Sequence, residues 1–248
     1  MRNFLYRNPD LYDEVYAGTN RLDTGLCERA FQQYLGRLPG SLLDVGCGTG
    51  EDVGHFARQG VAAVGVDLQP LMLQRAKLKY PDVTFTEADM RHLDLGRRFE
   101  AVISFGYALS NLHTDTDIAA TLHSIARHCT PGALLILEAL ALPADRAVIG
   151  LPRHFTLDTP ELRARASARY DLDRRSRLLH RRRSWHDEDG MLLEEDSARF
   201  RMLTPAELRI HLERAGFDVL DVHDREHPDR ADMPSGVMVA LARYATRP

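Results

Sequence analysis

The residues most suggestive of chemistry lie in the run from Leu42 to Gly50. Glycines occupy positions 46, 48 and 50, directly after a short apolar run that contains Asp44. A buried strand that leads through a glycine-rich turn into a helix brings backbone N–H groups within reach of a bound ligand. The run therefore predicts a ligand-binding loop, and a tight strand-to-helix turn that binds nothing is the alternative.

The spacing of these glycines distinguishes between ligands. A dinucleotide-binding fingerprint requires glycines in the pattern G-x-G-x-x-G, and counted from Gly46 the third of them would fall at Glu51. The chain instead has Asp-x-Gly-x-Gly-x-Gly, in which Asp44 lies two positions before the first glycine. The spacing therefore counts against a nicotinamide-dependent oxidoreductase.

A second acidic residue supports a bound ligand. Asp67 ends the apolar run 61–67 and lies 17 positions after Gly50, close to the offset of about 20 residues at which nucleotide-binding folds place a carboxylate against ribose hydroxyls. An aspartate at a strand end is also an ordinary turn or cap residue. Its agreement with the glycine loop nevertheless favours the ligand-binding interpretation.

The elements that must position these residues follow from the apolar pattern. Strands are predicted over 41–46, 61–67, 83–87, 99–105 and 133–138, and helices over 51–59, over 70–80 and from the capping pair Thr114 and Asp117. This alternation predicts a mostly parallel sheet covered on both faces. A capping box at Thr204-Pro-Ala-Glu207 begins a last helix, and strands over 217–222 and 236–243 complete a doubly wound α/β fold.

Two regions depart from this alternation. Residues 165–203 have alternating stretches around a hairpin signal at Glu188-Asp-Gly190, which predicts a small antiparallel insertion after the fifth strand. From 19 to 38 apolar residues recur every four positions, which predicts an amphipathic helix ended by Pro39-Gly40. We therefore divide the chain into an N-terminal lid and helix (1–38), a cofactor-binding core (39–149), a substrate-side insertion (150–203) and a C-terminal helix and strands (204–248).

Composition narrows the class of protein. An apolar fraction of 44% and a charged fraction of 27% allow a sizeable core. The net charge of −4 argues against a nucleic-acid or anionic-membrane binder, and we interpret the arginines of the insertion as a solvated strand face or an interface. The three scattered cysteines form no metal spacing. Without a bilayer-spanning run or a secretory signal, we expect a cytoplasmic protein.

The order of these motifs over residues 40–140 resembles class I S-adenosylmethionine-dependent methyltransferases. The motifs are Asp44-x-Gly-x-Gly-x-Gly, Asp67, Ala88-Asp89-Met90 and Pro131-Gly132. Tyr12-Asp-Glu-Val-Tyr16, the insertion and the terminal run 236–240 are similar to small-molecule N-methyltransferases, and nucleotide-linked aminosugar N,N-dimethyltransferases are the nearest group. The resemblance implies a Rossmann-like fold with a mostly parallel seven-stranded sheet.

The resemblance also implies S-adenosyl-L-methionine as the cofactor and places one set of residues at its methionine end. Gly46, Cys47 and Gly48 would lie with their backbone against the methionine part, because side chains at the glycines would block close approach. Asp44 would lie near the amino-acid end of the cofactor. Phe105, at the end of the fourth strand, would lie beside the sulfonium.

Another set of residues would hold the adenosine end of the cofactor. Asp67 would accept hydrogen bonds from the ribose hydroxyls, and Leu68 is assigned to the same site. Asp89 would accept from the adenine amino group, while Met90 would donate its backbone N–H to the ring. Tyr12 would reach the cofactor from an N-terminal lid whose tyrosines present aromatic faces to a cationic ligand. The alternative for these tyrosines is that they cover a hydrophobic edge.

The implied reaction is methyl transfer to a small-molecule acceptor by in-line displacement, with natural-product biosynthesis as its setting. The leaving group is neutral and already activated, so alignment can supply most of the acceleration and we expect no metal. An amine acceptor is favoured over a hydroxyl or carboxyl one. The alternatives are an O-methyltransferase and a protein that binds the cofactor without catalysis.

Three residues are candidates for contact with the acceptor: Tyr12, Asn111 and His113. Aminosugar methyltransferases tend to carry histidine in the loop after the fourth strand, where this chain has Asn111, and His113 follows two residues later. Both residues could instead cap the following helix. A tyrosine or His113 would act as the general base if the acceptor were a hydroxyl. We expect a small-molecule partner, no nucleic acid and no membrane, with a homodimer through the insertion as an open possibility.

Overall fold

A computed structural model describes residues 3–16, 20–142, 149–150, 152–158, 162–225 and 236–245. Seven strands form its central sheet: β1 (Ser41–Val45), β2 (Ala62–Asp67), β3 (Thr84–Glu87), β4 (Phe99–Ser104), β5 (Cys129–Ala141), β10 (Phe217–Arg225) and β11 (Val237–Tyr244). Their spatial order is β3-β2-β1-β4-β5-β11-β10. The first five strands are parallel, and β11 runs antiparallel to both of its neighbours. The predicted seven-stranded, mostly parallel sheet is confirmed.

The helices that cover this sheet begin and end where local sequence requires. They are α4 (Glu51–Arg58), α5 (Pro70–Lys79), α6 (Asp115–Arg127) and α7 (Pro205–Arg214). The Thr114 side chain accepts a hydrogen bond from the backbone N–H of Asp117, and Thr204 and Glu207 form the predicted capping box. Among the described helices, none has both the length and the apolar content needed to cross a membrane.

The central strands are buried on both faces, which explains their nearly continuous apolar sequences. Adjacent residues of β1 enter different cores: Leu43 packs with Val102 and the helices α6 and α7, whereas Leu42 packs with Ile103 on the opposite face. All four of these side chains are fully buried. Because successive side chains of a strand point to opposite faces, both faces of such a strand require apolar residues.

The predicted insertion is an antiparallel sheet of four strands. These strands are β6 (Arg153–Asp158), β7 (Arg163–Asp173), β8 (Leu178–His186) and β9 (Leu192–Leu203). The hairpin predicted at 188–190 is present, and Gly190 has the positive φ of 84° that such a turn favours. The end of β9 pairs in parallel with the end of β5, at Leu140–Met202 and Ala141–Leu203, so the insertion continues the central sheet.

The N-terminal region contains α1 (Phe4–Arg7), α2 (Pro9–Tyr16) and α3 (Asn20–Leu35). The predicted end of α3 at Pro39-Gly40 was wrong, because the helix stops at Leu35. Gly36 follows with a φ of 70° and donates its N–H to Gln32 O at 3.2 Å. A glycine in this left-handed conformation is a common helix stop. The prediction placed the end of the helix too late because the apolar spacing continues past Gly36.

An ionic network lies inside the insertion. The Asp196 carboxylate on β9 is fully buried and accepts from Arg183 Nε at 3.0 Å and from the Trp185 indole at 3.0 Å. Arg181 Nη2 donates to the other carboxylate oxygen at 3.2 Å. Burial alone would raise the pKa of Asp196, but the guanidiniums of Arg183 and Arg181 outweigh burial and hold that pKa below its usual range.

The same carboxylate fastens the start of the chain to the insertion. The backbone N–H of Phe4 donates to Asp196 Oδ2 at 3.3 Å, and Arg183 Nη2 donates to Asn3 Oδ1 at 2.8 Å. The ring of Phe4 lies 4.8 Å from that of Trp185, centroid to centroid. The position of α1 therefore depends on a charged group almost 200 residues away in sequence.

We expect Asp196→Asn to lower the free energy of unfolding by about 3–5 kcal/mol at pH 7, because it leaves Arg181 and Arg183 buried without a counter-ion. The control is Asp171→Asn. The Asp171–Arg182 pair is exposed (side chains 54% and 74%), so its loss should cost about 0–1 kcal/mol. Denaturant titrations of both variants and the wild type measure the two differences.

The pH dependence gives a second test of the Asp196 network. Because the pKa of Asp196 is lowered in the folded state, its stabilisation is fully present above the unfolded pKa of about 3.9 and is lost as pH falls through the folded value. The gap between wild type and Asp196→Asn should therefore narrow in acid. Equal losses of unfolding free energy in Asp196→Asn and Asp171→Asn at pH 7 would contradict a stabilising role for the buried Asp196 network.

Candidate functional site

A cavity of about 380 Å³ opens at the carboxyl ends of the parallel strands. Ligands of open α/β sheets bind at this edge, where the strand order reverses. Ten of the twelve predicted site residues line it: Tyr12, Gly46, Gly48, Asp67, Leu68, Asp89, Met90, Phe105, Asn111 and His113. The topology thus brings together residues that were predicted separately from several segments. Their individual roles stay predictions.

The glycine loop passes close to the turn that follows β4. Gly46 has a φ of 83°, and a Cβ added there would lie 2.6 Å from Ala108 Cβ. Its backbone N–H donates to Val66 O at 2.8 Å. Gly48 has a φ of 53°, and a Cβ added there would lie 3.4 Å from Met72 Cε and 3.8 Å from Tyr12 Oη. Residues with side chains would be strained at both positions and would fill space at the cavity wall.

Asp67 links the glycine loop to the end of β2. Its Oδ2 accepts the Gly48 N–H at 2.9 Å and its Oδ1 accepts the Gln69 N–H at 2.8 Å. Burial raises the pKa of Asp67, and backbone hydrogen bonds from Gln69, Gly48 and Leu68 oppose that rise. A carboxylate has about four acceptor sites. Asp67 therefore keeps acceptor capacity beyond these backbone bonds.

Asp89 is held by its neighbour Arg91. Its Oδ1 accepts the Arg91 backbone N–H at 3.0 Å, and its Oδ2 accepts Arg91 Nη2 at 2.6 Å. Arg91 Nε lies 3.0 and 3.1 Å from the two oxygens. The hydrogen bonds from Arg91 lower the pKa of Asp89, so this carboxylate is an ionised acceptor at neutral pH.

The two remaining predicted residues, Asp44 and Cys47, lie behind the cavity wall. Both are buried, and neither lines the cavity. Burial raises the pKa of Asp44, and the nearby carboxylates of Asp67 and Asp23 raise it further. Burial likewise raises the pKa of the Cys47 thiol. Any contact of these side chains with a ligand therefore stays a prediction.

The turn after β4 carries the side chains of the opposite wall. Phe105 ends the strand, and Gly106 and Tyr107 follow with φ values of 63° and 61°. The Gly106 N–H donates to Glu138 Oε2 at 3.0 Å, and Glu138 is fully buried on β5. This left-handed pair reverses the chain and turns residues 105–113 back over the glycine loop.

Asn111 has a defined orientation within that turn. Its Nδ2 lies 3.2 Å from Tyr107 O and 3.4 Å from Ala108 O. Carbonyl oxygens only accept, so the amide nitrogen must face them and Oδ1 must face away. Oδ1 is buried, and the part of the chain that the structure describes offers it no hydrogen-bond donor. Asn111 thus lines the cavity, and its buried Oδ1 is an acceptor without a partner among the described residues.

His113 also has a defined tautomer when neutral. Its Nε2 lies 3.1 Å from Arg199 O on β9. Because that carbonyl can only accept, Nε2 carries the hydrogen and Nδ1 of the neutral ring keeps a free lone pair. His113 lines the cavity and a neighbouring groove on the insertion. It is thus a candidate proton acceptor between the core and the insertion.

The helices α1 and α2, which we call the N-terminal segment, cover the cavity from a third side. Tyr6 and Tyr12 line it, with their ring centroids 6.0 Å apart. Asp13 fixes the segment by accepting from the Thr49 hydroxyl in the glycine loop and by pairing with Arg75 Nε at 3.1 Å. The segment has the position expected of a lid, and whether it moves remains a prediction.

Sequence reasoning missed several side chains of the cavity. They include Gln69, Met72, Arg91 and Asp117. Met72 belongs to an apolar pattern that predicts only burial, and the Arg91–Asp117 contact spans 26 positions. Among the described residues, no group of three or more His, Cys, Asp or Glu side chains is placed to hold a metal ion.

Known proteins match the part of the chain that forms this cavity. Residues 42–132 match a family described as a methyltransferase domain. Over 136 residues the chain is 34% identical to the dTDP-3-amino-3,4,6-trideoxy-alpha-D-glucopyranose N,N-dimethyltransferase of Streptomyces venezuelae, covering 54% of this chain and 57% of that protein. Over 143 residues it is 29% identical to the dTDP-4-amino-2,3,4,6-tetradeoxy-D-glucose N,N-dimethyltransferase of Saccharopolyspora spinosa, covering 57% of each. The chain spans about half the length of these curated relatives.

A solved structure extends the similarity to nearly the whole chain. CalS10, an amino pentose methyltransferase from Micromonospora echinaspora, superposes with a TM-score of 0.76. The alignment covers 97% of this chain and 98% of CalS10 at 23% sequence identity. At this identity the similarity shows a shared fold.

We expect Gly46→Ala to destabilise the protein more than Gly60→Ala does. Both glycines have similar φ values, 83° and 85°, but a Cβ at Gly60 would meet nothing within 4 Å. The left-handed conformation should cost about 1–2 kcal/mol in each variant. Contact with Ala108 should add about 1–3 kcal/mol at position 46 alone.

Chemical denaturation of the two glycine variants measures this difference. Equal losses of stability would show that the loop can move away from Ala108. The close approach would then not be what requires glycine at position 46.

Proposed function

We propose, from the premise that residues 42–132 belong to the methyltransferase-domain family, that this chain is an S-adenosyl-L-methionine-dependent methyltransferase. Its acceptor is an amine of a small molecule. The observation that carries the proposal is the convergence of the glycine loop, Asp67 and Asp89 on one cavity. When bound, S-adenosyl-L-methionine supplies an activated methyl group on a sulfonium.

The residues of the cavity fit this cofactor. Gly46 and Gly48 leave space at the wall that a Cβ would fill, so the backbone can lie against the methionine part. Asp67 keeps free acceptor sites beside its bonds to Gly48 and Gln69, and we assign them to the ribose hydroxyls. Asp89 presents an ionised carboxylate for the adenine amino group, and Phe105 lies beside the sulfonium in the same proposal.

The amine acceptor is supported by the side chains of the turn after β4. The Oδ1 of Asn111 accepts an N–H of the amine and so orients its lone pair, because no donor within the described residues occupies that oxygen. A neutral amine that gains a methyl group becomes an ammonium ion with one proton more than the neutral methylated amine, and Nδ1 of His113 accepts that proton. Proton removal restores the neutral amine that a second transfer would need.

The relatives and the insertion support the proposed substrate class. The two curated relatives above are named as N,N-dimethyltransferases of dTDP-linked amino sugars, and we propose an amino sugar as the acceptor, in natural-product biosynthesis. The insertion (150–203) and the region 1–38 enclose the acceptor side, whereas 39–149 and 204–248 form the cofactor-binding core. This division belongs to the proposal.

The first test is isothermal titration with S-adenosylhomocysteine. We expect micromolar binding to the wild type and at least about tenfold weaker binding to Asp67→Ala, because a charged hydrogen-bond acceptor contributes about 1.5–3 kcal/mol. Asp67→Asn should bind with intermediate strength, since its amide still offers one acceptor oxygen. Asp82→Ala, on the exposed connection before β3, is the control and should bind like wild type.

Two further observations complete this test. Binding of NAD in place of S-adenosylhomocysteine would contradict the proposed cofactor. Transfer of a labelled methyl group to amino sugars but not to their hydroxyl analogues would support the amine acceptor. Binding without transfer to either panel would favour a non-catalytic cofactor-binding protein.

We expect His113→Gln to lower kcat by about 10²-fold or more, the usual contribution of a positioned proton acceptor. Affinity for S-adenosylhomocysteine should stay within about twofold of wild type, because His113 acts on the acceptor. His123→Gln is the matched control, since His123 is exposed on α6 and its Nδ1 bonds to Ala119 O of the same helix. Steady-state kinetics with a fixed amine measure both variants. Wild-type kcat in His113→Gln would exclude this role.

A further inference from the structure

Asp89, Arg91 and Asp117 form a linked set of charged side chains that lines the cavity. The function proposed above gives a role to Asp89 and none to Arg91 or Asp117. Arg91 holds Asp89 on one side, and its Nη1 donates to Asp117 Oδ1 at 2.9 Å on the other. Asp117 lies in the first turn of α6, where its Oδ2 accepts the Thr114 hydroxyl at 2.7 Å. Arg91 is thereby fixed from two sides, and its guanidinium cannot rotate without breaking both contacts.

The hydrogen bonds from Arg91 use most of the acceptor capacity of Asp89. Three donors reach the carboxylate: the backbone N–H, Nε and Nη2 of Arg91. A carboxylate offers about four acceptor sites. About one site remains, and the planar fork of the guanidinium fixes its direction. Asp89 is therefore prepared for a single further N–H donor in one direction.

This arrangement contributes little to folding. The side chains of Arg91, Asp89 and Asp117 are 39%, 28% and 28% exposed, and partly exposed ion pairs of this kind stabilise proteins by about 0–1 kcal/mol. All three nevertheless line the cavity. We therefore expect them to affect ligand binding, because they determine which hydrogen-bonding groups the cavity wall presents.

We propose that Arg91, held by Asp117, is a positioning residue that sets the nucleobase specificity of the site. This inference rests on the proposed function. By fixing Asp89 with one free acceptor site, Arg91 selects a base that offers an exocyclic amino group. A 6-oxo purine presents an acceptor oxygen at the same place, so the Asp89 carboxylate gains no hydrogen bond and is repelled by that oxygen. Sites built around a paired polar group reject such analogues strongly.

The test compares S-adenosylhomocysteine with S-inosylhomocysteine, which has a 6-oxo group in place of the 6-amino group and carries a hydrogen at N1. We expect wild type to prefer the adenosyl compound and Arg91→Met to lower the ratio of the two affinities by about tenfold, because the freed carboxylate can rotate. Arg91→Lys should also lose preference, since an ammonium restores the charge without the planar fork. Asp117→Asn should lower the ratio by a smaller factor.

The control is Arg127→Met, which removes an arginine from α6 whose Nη2 donates to Ser124 and should leave the ratio unchanged. A ratio within twofold of wild type in Arg91→Met and Arg91→Lys would overturn the inference and leave the proposed function intact. Failure of wild type to bind S-adenosylhomocysteine would overturn the proposed function and this inference together. If Arg91→Met does not fold, Arg91→Lys and Asp117→Asn decide the question by the same ratio.

Discussion

The site depends on one close approach, between the glycine loop after β1 and the turn after β4. Gly46 and Cys47 both donate their N–H groups to Val66 O, at 2.8 and 3.0 Å, so the loop is fixed to β2. A Cβ at Gly46 would then lie 2.6 Å from Ala108 Cβ. Because neither backbone segment can give way cheaply, only glycine allows residues 105–113 to fold over the loop. This contact places Phe105, Asn111 and His113 in the same cavity as Asp67 and Asp89.

The sequence predicted the fold well because the fold depends on local patterns. Each core strand is an apolar run that both faces of a covered parallel sheet require, and the starts of α6 and α7 follow from caps that act within three residues. The errors have equally local causes. The apolar spacing of α3 continues beyond Gly36, where the backbone turns left-handed. The strand Arg153–Asp158 was missed because its exposed positions hide the alternation and its partner lies in β7.

The site was predicted for residues whose place follows from topology. Asp67 and Asp89 lie just after parallel strands, so a sheet in the right order brings them to one edge. Arg91 lies two residues from Asp89 and gave no such signal, because arginine after a strand is ordinary on a protein surface. The orientation of Arg91 depends on its hydrogen bond to Asp117, and this contact exists only because α6 packs beside the strand ends. Side chains whose roles depend on a distant partner are thus beyond what the sequence pattern can show.

The two halves of the site are held by different physical means. Backbone geometry fixes the glycine-loop side of the cavity, through glycines whose φ values other residues adopt only with strain. Side-chain pairs fix the N-terminal side: Asp196 fastens Phe4 to the insertion, and Asp13 fastens the same segment to Thr49. Exchange of a side-chain pair can reshape a wall without disturbing the sheet, whereas exchange of a loop glycine cannot. We therefore expect this architecture to keep one cofactor while the insertion and the N-terminal segment change the acceptor.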